Sequence, residues 1–181
     1  MKPQTLTAEL LELDALNAQR LLAPLCELLQ DAVHGGASVG FHAPLDSARA
    51  QAFWEGVIDA LATGDRRVWV ILVGGQVAGS VQLEPCTKEN GRQRGDIMKL
   101  LVHRQWRRRG FARALMEHAQ NEARAMGLRT LVLDTEVGSA AEVVYQALGW
   151  QRVGEIPDYA DLPDGTPVAT AYYYLTLKAL A

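Results

Sequence analysis

The apolar positions along this chain change period several times, and each change marks an element. Between Asp14 and Val33, leucines at positions 16, 21, 22, 25, 28 and 29 recur at helical spacing and stop before Gly35-Gly36, which predicts a helix. A short possible strand near Thr5–Leu13 precedes it. After a loop, Asp46 is placed to cap a second helix with the stripe Phe53, Trp54, Val57, Ile58 and Leu61, and Gly64 stands where a left-handed residue ends one. The pattern then becomes that of extended chain. Val68–Val73 and Gln76–Leu83 are β-rich runs separated by Gly74-Gly75, a two-residue hairpin signal, and a third strand from about Arg94 to His103, with Ile97, Lys99 and Leu101 alternating, completes a meander.

Helical spacing returns with Phe111, Leu115, Ala119 and Met126, closed by Gly127, and Thr130–Asp134 reads as a buried strand. Ser139-Ala140-Ala141-Glu142 has the form of a capping box, opening a short helix that ends at Gly149. Two last strands, near Gln151–Glu155 and Val168–Leu177, flank the turn Pro163-Asp164-Gly165. The order β αα βββ α β α ββ predicts an α/β (α+β) fold, a mixed sheet with helices against it, and excludes a plain Rossmann fold or a barrel. No repeat, low-complexity tract or linker interrupts the 181 residues, so residues 1–181 are expected to form one domain.

Composition narrows the class. With 49% hydrophobic and 22% charged residues, the chain is neither a disordered tail nor a fibre. No apolar run approaches the roughly 20 residues of a membrane helix, and the start Met-Lys-Pro-Gln-Thr lacks a signal-peptide core, so a cytoplasmic protein without a membrane partner is expected. Cys26 and Cys86 have no metal or redox spacing and read as small buried hydrophobes; His42, His103 and His118 show no metal spacing either, and no metal is expected. The net charge of −3 hides an asymmetry. Residues 92–113 hold eight cations and one acid, Asp96, which is +7 in 22 residues against −10 for the remainder. A compact basic stretch on an acidic chain suits a small polyanion better than a long phosphate backbone, so no nucleic acid is expected as a partner.

The centre of that stretch carries the strongest chemistry. A strand through Lys99-Leu100-Leu101-Val102 runs into Arg107-Arg108-Arg109-Gly110-Phe111-Ala112-Arg113 and then a helix. A helix start has backbone N–H groups without partners and a positive dipole end, and so attracts anions. Gly110 and Ala112 are small where phosphates would approach the backbone, while Arg107 to Arg109 and Arg113 supply charge, so a pyrophosphate fits. The alternative is a solvated basic turn ahead of an amphipathic helix. Elsewhere, Gly36-Ala37-Ser38-Val39-Gly40 matches the G-x-S-x-G nucleophile elbow. An elbow follows a strand and opens a helix, whereas this segment follows a helix and precedes Pro44, so a serine hydrolase is disfavoured. The loop is read as lining a substrate pocket, with His34 and Ser38 as polar contacts, or as a tight packing turn. Tyr172, Tyr173 and Tyr174 alternate faces on the last strand, where packing is the expected role.

These residues resemble the GNAT superfamily of acetyl-CoA-dependent N-acetyltransferases. Arg107, Gly110 and Ala112 match its phosphate loop, Arg/Gln-x-x-Gly-x-Gly/Ala, and Ala141, Tyr145, Gly149 and Trp150 match its second signature. Within the superfamily, Val33–Phe41, Leu133–Glu136, Arg152–Glu155 and Pro163–Gly165 are similar to segments of the acetyltransferases that confer tabtoxin resistance. Two positions depart from the superfamily pattern: Arg104 replaces a common proline, and Gly138 replaces an asparagine that contacts the pantetheine arm, with Ser139 as a possible substitute.

The resemblance implies a mostly antiparallel seven-stranded sheet with helices on both faces and a central splayed parallel pair, the strands Ile97–His103 and Thr130–Thr135. It implies acetyl-CoA as co-substrate, direct transfer without a covalent step, and backbone N–H groups near Leu100, Leu101 and Val102 that polarise the thioester carbonyl. The acceptor would be a primary amine of a small amino-acid-like molecule, with tabtoxin-type β-lactams the first guess. An amine is mostly protonated at neutral pH and needs a base. Asp96 and Asp134 are both candidates, with Glu136 beside the substrate ammonium; an ion pair with Arg94 or Lys99 is the alternative for Asp96, and a loop cap for Asp134. Tyr145 matches the family's general acid for the departing thiolate, against a core tyrosine. Acetylation of a peptide or lysine, and a non-catalytic acyl-CoA-binding regulator, are the competing functions. A homodimer is a mild expectation of the same resemblance.

Overall fold

The computed structural model describes residues 7–178. Seven strands and five helices follow one another as β1 (Ala8–Leu13), α1 (Ala15–Arg20), α2 (Leu22–His34), α3 (Ser47–Thr63), β2 (Arg67–Val73), β3 (Gln76–Pro85), β4 (Arg94–Val102), α4 (Phe111–Ala125), β5 (Thr130–Glu136), α5 (Ala140–Ala147), β6 (Gln151–Asp161) and β7 (Pro167–Thr176). The strands form one sheet in the order β1-β2-β3-β4-β5-β7-β6, antiparallel except for β4 with β5. The splayed parallel pair is present, and the predicted element order holds apart from one more helix ahead of β2. Among the described residues no helix is long and apolar enough to cross a membrane.

Strand pleating divides the core in two. Trp69, Ile71, Leu83, Ile97, Leu131 and Leu133 face one way, onto α4 through Leu115, Met116 and Ala119 and onto the α5 end through Tyr145 and Trp150. Val68, Val70, Val77 and Leu101 face the other way, onto Leu25, Leu28 and Leu29 of α2 and Trp54 and Val57 of α3. Both cores are buried, so the sheet separates two helical layers.

Several caps and turns form as predicted. Asp46 accepts the Arg49 N–H at 2.8 Å, Gly64 is left-handed, and Gly74-Gly75 turns with φ of 58° and 82°. Three expectations need correction. The helix over 14–33 is two helices, breaking at Leu21, because Pro24 has no N–H to give to the Arg20 carbonyl and its ring crowds that turn. The capping box does not form. Ser139 Oγ lies 3.1 Å from Thr135 Oγ1 instead of capping α5, and Glu142 accepts the Gly138 N–H at 2.7 Å and the Tyr173 hydroxyl. Finally, β6 runs on to Asp161, past an irregularity between Ile156 and Ala160 where Asp158 takes a positive φ, so turn-forming Pro157 and Asp158 bend the strand without ending it. Cys26 is buried as expected, whereas Cys86 is only half-buried. Of the three tyrosines, Tyr173 is core, Tyr174 donates to Gln151, and Tyr172 meets the Tyr159 ring edge-on at 5.7 Å.

Candidate active site

The site begins with a fault in the sheet. Ser80 pairs with Leu101 but Gln82 with Met98, so one residue of β3 faces two of β4, and Lys99 at this bulge has φ of 50°. Ile97 and Leu101 would share a face in a regular strand; here they belong to opposite cores, which corrects the expected alternation through Lys99. The bulge also bends β4 from its neighbour. Parallel pairing with β5 covers only Arg94–Asp96 against Thr130–Val132, while β5 continues along β7 as far as Glu136. Beyond Asp96 the two strands part, and a cleft of about 1010 Å³ passes through the sheet.

On the α4 side, the cleft is walled by backbone. Leu100, Leu101 and Val102 line it along an edge of β4 that has no strand partner. The chain then makes a turn of 3₁₀ helix, Arg104–Trp106, and enters α4 through Arg108 (φ 61°) and Gly110 (φ 79°). Gly110 is the N-cap of α4 and offers no side chain to its N–H groups, and no acid lies in the first turn. An uncapped N-terminus with two left-handed residues just ahead of it is an anion cradle. A Cβ on Gly110 would meet nothing within 4 Å, so glycine is needed here for its positive φ and for the absence of a side chain over the cradle.

Predicted phosphate-loop residues mostly reach this wall: Arg107, Arg108, Gly110, Phe111, Ala112 and Arg113 all line it. Arg107 Nε also holds the Val102 carbonyl at 3.3 Å, and Arg113 Nε pairs with Glu117 at 2.8 Å. Arg109 does not line the cleft. Its guanidinium lies 4.8 Å from the centre of the Trp106 ring, because the left-handed turn at Arg108 sends consecutive side chains apart, and Trp106 takes its place on the wall. Arg104, where a proline was expected, is fixed to Asp31 of α2.

Across the cleft stand Asp134, Glu136, Ser139 and Tyr145. Leu131 and Leu133 point into the α4 core, so pleating sends Asp134 and Glu136 to the α1–α3 side. Asp134 is exposed to the cleft, whereas Tyr145 is only 5% exposed and packed between Trp150 and Tyr173. Burial, reinforced by the charge of Asp134, pushes the Tyr145 phenol well above its usual value. Burial likewise raises the Glu136 carboxyl, against a hydrogen bond from the Ser38 backbone.

Asp96 is absent from the cleft lining: it sits in the last paired residues of β4 and β5, opposite Val132 and beside Glu84. Burial raises its carboxyl, Arg94 opposes, and Glu84 and Asp134 add to the rise.

The loop after α2 lines the cleft through residues 35–40. Ser38 lines the cleft, and its hydroxyl donates to the Asp161 carbonyl at 2.8 Å, which leaves no activated nucleophile at the G-x-S-x-G match. His34 does not line the cleft; its Nε2 accepts the Leu45 N–H at 3.1 Å, so it holds the loop from behind. The pair His42–Asp161 and the bond from Ala43 N to Pro163 O complete the attachment of this loop to the β6–β7 turn.

A model of the acetyltransferase (GNAT) family matches residues 26–150. This chain belongs to that family. GNAT proteins are N-acetyltransferases, and the uncapped loop and splayed pair described above lie within the matched span. The chain is 33% identical over 115 residues, 62% of its length and 67% of the other's, to an uncharacterized N-acetyltransferase of Azospirillum brasilense from the hisH-hisA intergenic region. A second relative, N-acetylaspartate synthetase of Danio rerio, is 33% identical over 92 residues, half of this chain but only 32% of the fish protein. Among solved structures, an N-acetyltransferase of Staphylococcus aureus Mu50 superposes with a TM-score of 0.79 at 20% identity over 95% of this chain and 99% of that one. YncA of Salmonella typhimurium, a structure holding acetyl-CoA, gives 0.77 at 20% identity over 97% and 96%. These likenesses show the GNAT fold.

Lys99, Trp106 and Thr135 line the cleft and escape sequence reasoning. Lys99 reads as one more cation of a basic run, and only the register slip against β3 shows that its side chain leaves the strand's ordinary alternation. Trp106 reads as an interruption of that run, and Thr135 as the plain end of a strand.

Proposed function

We propose that this GNAT protein moves acetyl from acetyl-CoA to the primary amine of a small amino-acid-like acceptor, by direct transfer while both are bound. The observation that carries this reading is the meeting, in one cleft, of an uncapped helix N-terminus, an unpaired strand edge, an exposed carboxylate and a buried phenol. The residues fit acetyl-CoA. The N–H groups of Phe111, Ala112 and Arg113, with Arg107 and Arg108, would hold its pyrophosphate, and the open edge of β4 its pantetheine amides, with Ser139 near the arm. When bound, acetyl-CoA supplies the acetyl group as an activated thioester.

The remaining chemistry belongs to the chain. Backbone N–H groups at Leu100–Val102 polarise the carbonyl, a donor set whose loss in other acyl-transfer enzymes costs about 100-fold or more. Asp134 is exposed on the acceptor side of the V and takes the proton of the incoming ammonium, while Glu136, one strand repeat on, holds the amine in place. Tyr145 keeps its proton at every working pH and presents its O–H to the departing sulfur as the general acid. Asp96 lies in the paired stem of the V and is left with a supporting electrostatic role.

The attached loop, through Ser38, His42 and Ala43, narrows the acceptor side, which favours a small molecule over a peptide chain. The name of the fish relative points to an amino-acid acceptor too. A tabtoxin-type β-lactam is a specific acceptor of this class, supported by the segment similarity through Val33–Phe41.

The test is free-thiol release from acetyl-CoA over a panel of amino acids, β-lactam toxins, polyamines and peptides. Release with amino acids or β-lactams supports the reading. Release with peptides alone, or tight acetyl-CoA binding with no release on any acceptor, overturns it.

A further inference from the structure

Lys99 is the one cleft-lining cation that the reading above leaves without a task on the acceptor side. The bulge turns its side chain toward the α1–α3 layer, where Nζ lies 5.7 Å from the centre of the Phe53 ring and 3.8 Å from where a Cβ on Gly40 would stand. It is thus on the same side of the sheet as Asp134 and Glu136, across the V. Among the described residues, no carboxylate comes within 4.0 Å of Nζ and no acceptor takes a hydrogen bond from it. The ammonium lies over the aromatic face of Phe53 instead. Burial lowers its affinity for a proton, against the pull of Asp134 and with the push of Arg66. A half-buried ammonium without an anion is costly, and the cost is recovered when an anion binds.

We infer that Lys99 binds the carboxylate of the acceptor, so that the substrate is an amine carrying a neighbouring carboxylate, held as a zwitterion between Lys99 and the Asp134–Glu136 pair. The charges of such a molecule match the cleft in order: cation on β4 for its anion, carboxylates on β5 for its ammonium. Polyamines, which lack an anion, and amino-acid amides, which have lost it, leave Lys99 unpaired. The inference rests on the proposed transfer to small amines and sharpens its substrate class.

Glycine, alanine, leucine and aspartate are compared with their α-carboxamides, on the wild type and on Lys99→Gln and Lys99→Arg. The expected result is that kcat/KM for the acids falls about 10- to 100-fold in Lys99→Gln, the range of a charge-assisted hydrogen bond, while the amides change little and Lys99→Arg retains part of the preference. Comparing the acid-to-amide ratio between variants cancels the different basicity of the two amines. Every L-residue at position 99 meets the same positive φ, so Gln does not alter the bulge, and a calorimetric titration with acetyl-CoA shows that the cofactor side is intact. Equal loss on acids and amides in Lys99→Gln, leaving the acid-to-amide ratio as in the wild type, overturns the role of Lys99. A wild type that fails to bind acetyl-CoA overturns the transferase reading instead, and the inference with it.

Discussion

The phosphate-loop wall of the cleft is made from one continuous stretch, Leu100 to Arg113, in which backbone conformation does most of the work: two left-handed residues and a helix start that carries no cap. The rest of the cleft draws Lys99, Asp134, Glu136, Ser38 and Tyr145 from β4, β5, the loop after α2, and α5. Under the proposed function the first wall has a common chemical group to recognise, for which main-chain N–H groups suffice. Under the same proposal the second has to discriminate among acceptors and move protons, which requires side chains brought together by tertiary folding. In the proposed reaction, local geometry therefore sets cofactor recognition, while acceptor choice rests on the sheet fault at Lys99 and on the loop attached at Asp161.

The comparison is broken most severely at Asp134. Asp134→Asn keeps the size and shape of the side chain and removes its ability to take a proton, so kcat is expected to fall by about 100- to 10,000-fold. Acetyl-CoA affinity, measured by calorimetry, should stay within about twofold, because the phosphate wall is untouched. A kcat near that of the wild type would remove Asp134 as the base.

How far each wall was legible in the sequence follows from the same division. Arg107, Gly110 and Ala112 sit in one motif between a strand and a helix, so local spacing with that context and the family resemblance points to them. Asp134 is a candidate because it is a carboxylate near the end of a splayed strand, and Tyr145 because it matches the second family signature. Lys99 was hidden, since a bulge arises from register between β3 and β4 and leaves no local mark in either strand. His34 and Ser38 were visible as polar loop residues, but their bonds to Leu45 and Asp161 depend on neighbours up to 123 positions away. Pro24 alone was a local signal for the break at Leu21, and helical leucine spacing masked it.

Gly110→Glu tests the other wall. A carboxylate would occupy the anion cradle and the residue would be forced into a left-handed backbone, so acetyl-CoA affinity is expected to drop by about 100-fold or more. Gly110→Ala separates the two causes. It adds strain of about 1–2 kcal/mol, lowering Tm by roughly 2–8 °C, but no charge, and its affinity should fall only several-fold. Equal binding losses in the two variants would mean that loop geometry, not charge, governs recognition.

Tyr145→Phe is expected to reduce kcat by about 10- to 100-fold, with acetyl-CoA affinity nearly intact. Tyr145 belongs to the core, so a thermal melt is the necessary companion: deletion of one hydroxyl facing the cleft should leave Tm within a few degrees. An unchanged kcat would assign Tyr145 to packing alone.

The smallest effect is expected at Asp96, and it sharpens the comparison because Asp96 and Asp134 are carboxylates on the same side of neighbouring strands. Burial raises the Asp96 carboxyl above its usual range. A carboxyl that holds its proton more tightly in the folded state contributes stability at low pH and loses it as pH rises through the raised value, so at neutral pH the ionised group weakens the fold. Asp96→Asn should therefore stabilise the protein by under about 0.5 kcal/mol at pH 7, and the gain should disappear in melts below the unperturbed value of 3.8. Its kcat should stay within about twofold of wild type, since Asp96 lies in the paired stem and Asp134 at the open V. If Asp96→Asn loses activity as Asp134→Asn does, the base sits in the stem and reaches the amine through Asp134, and the division between a structural stem and a reactive V fails.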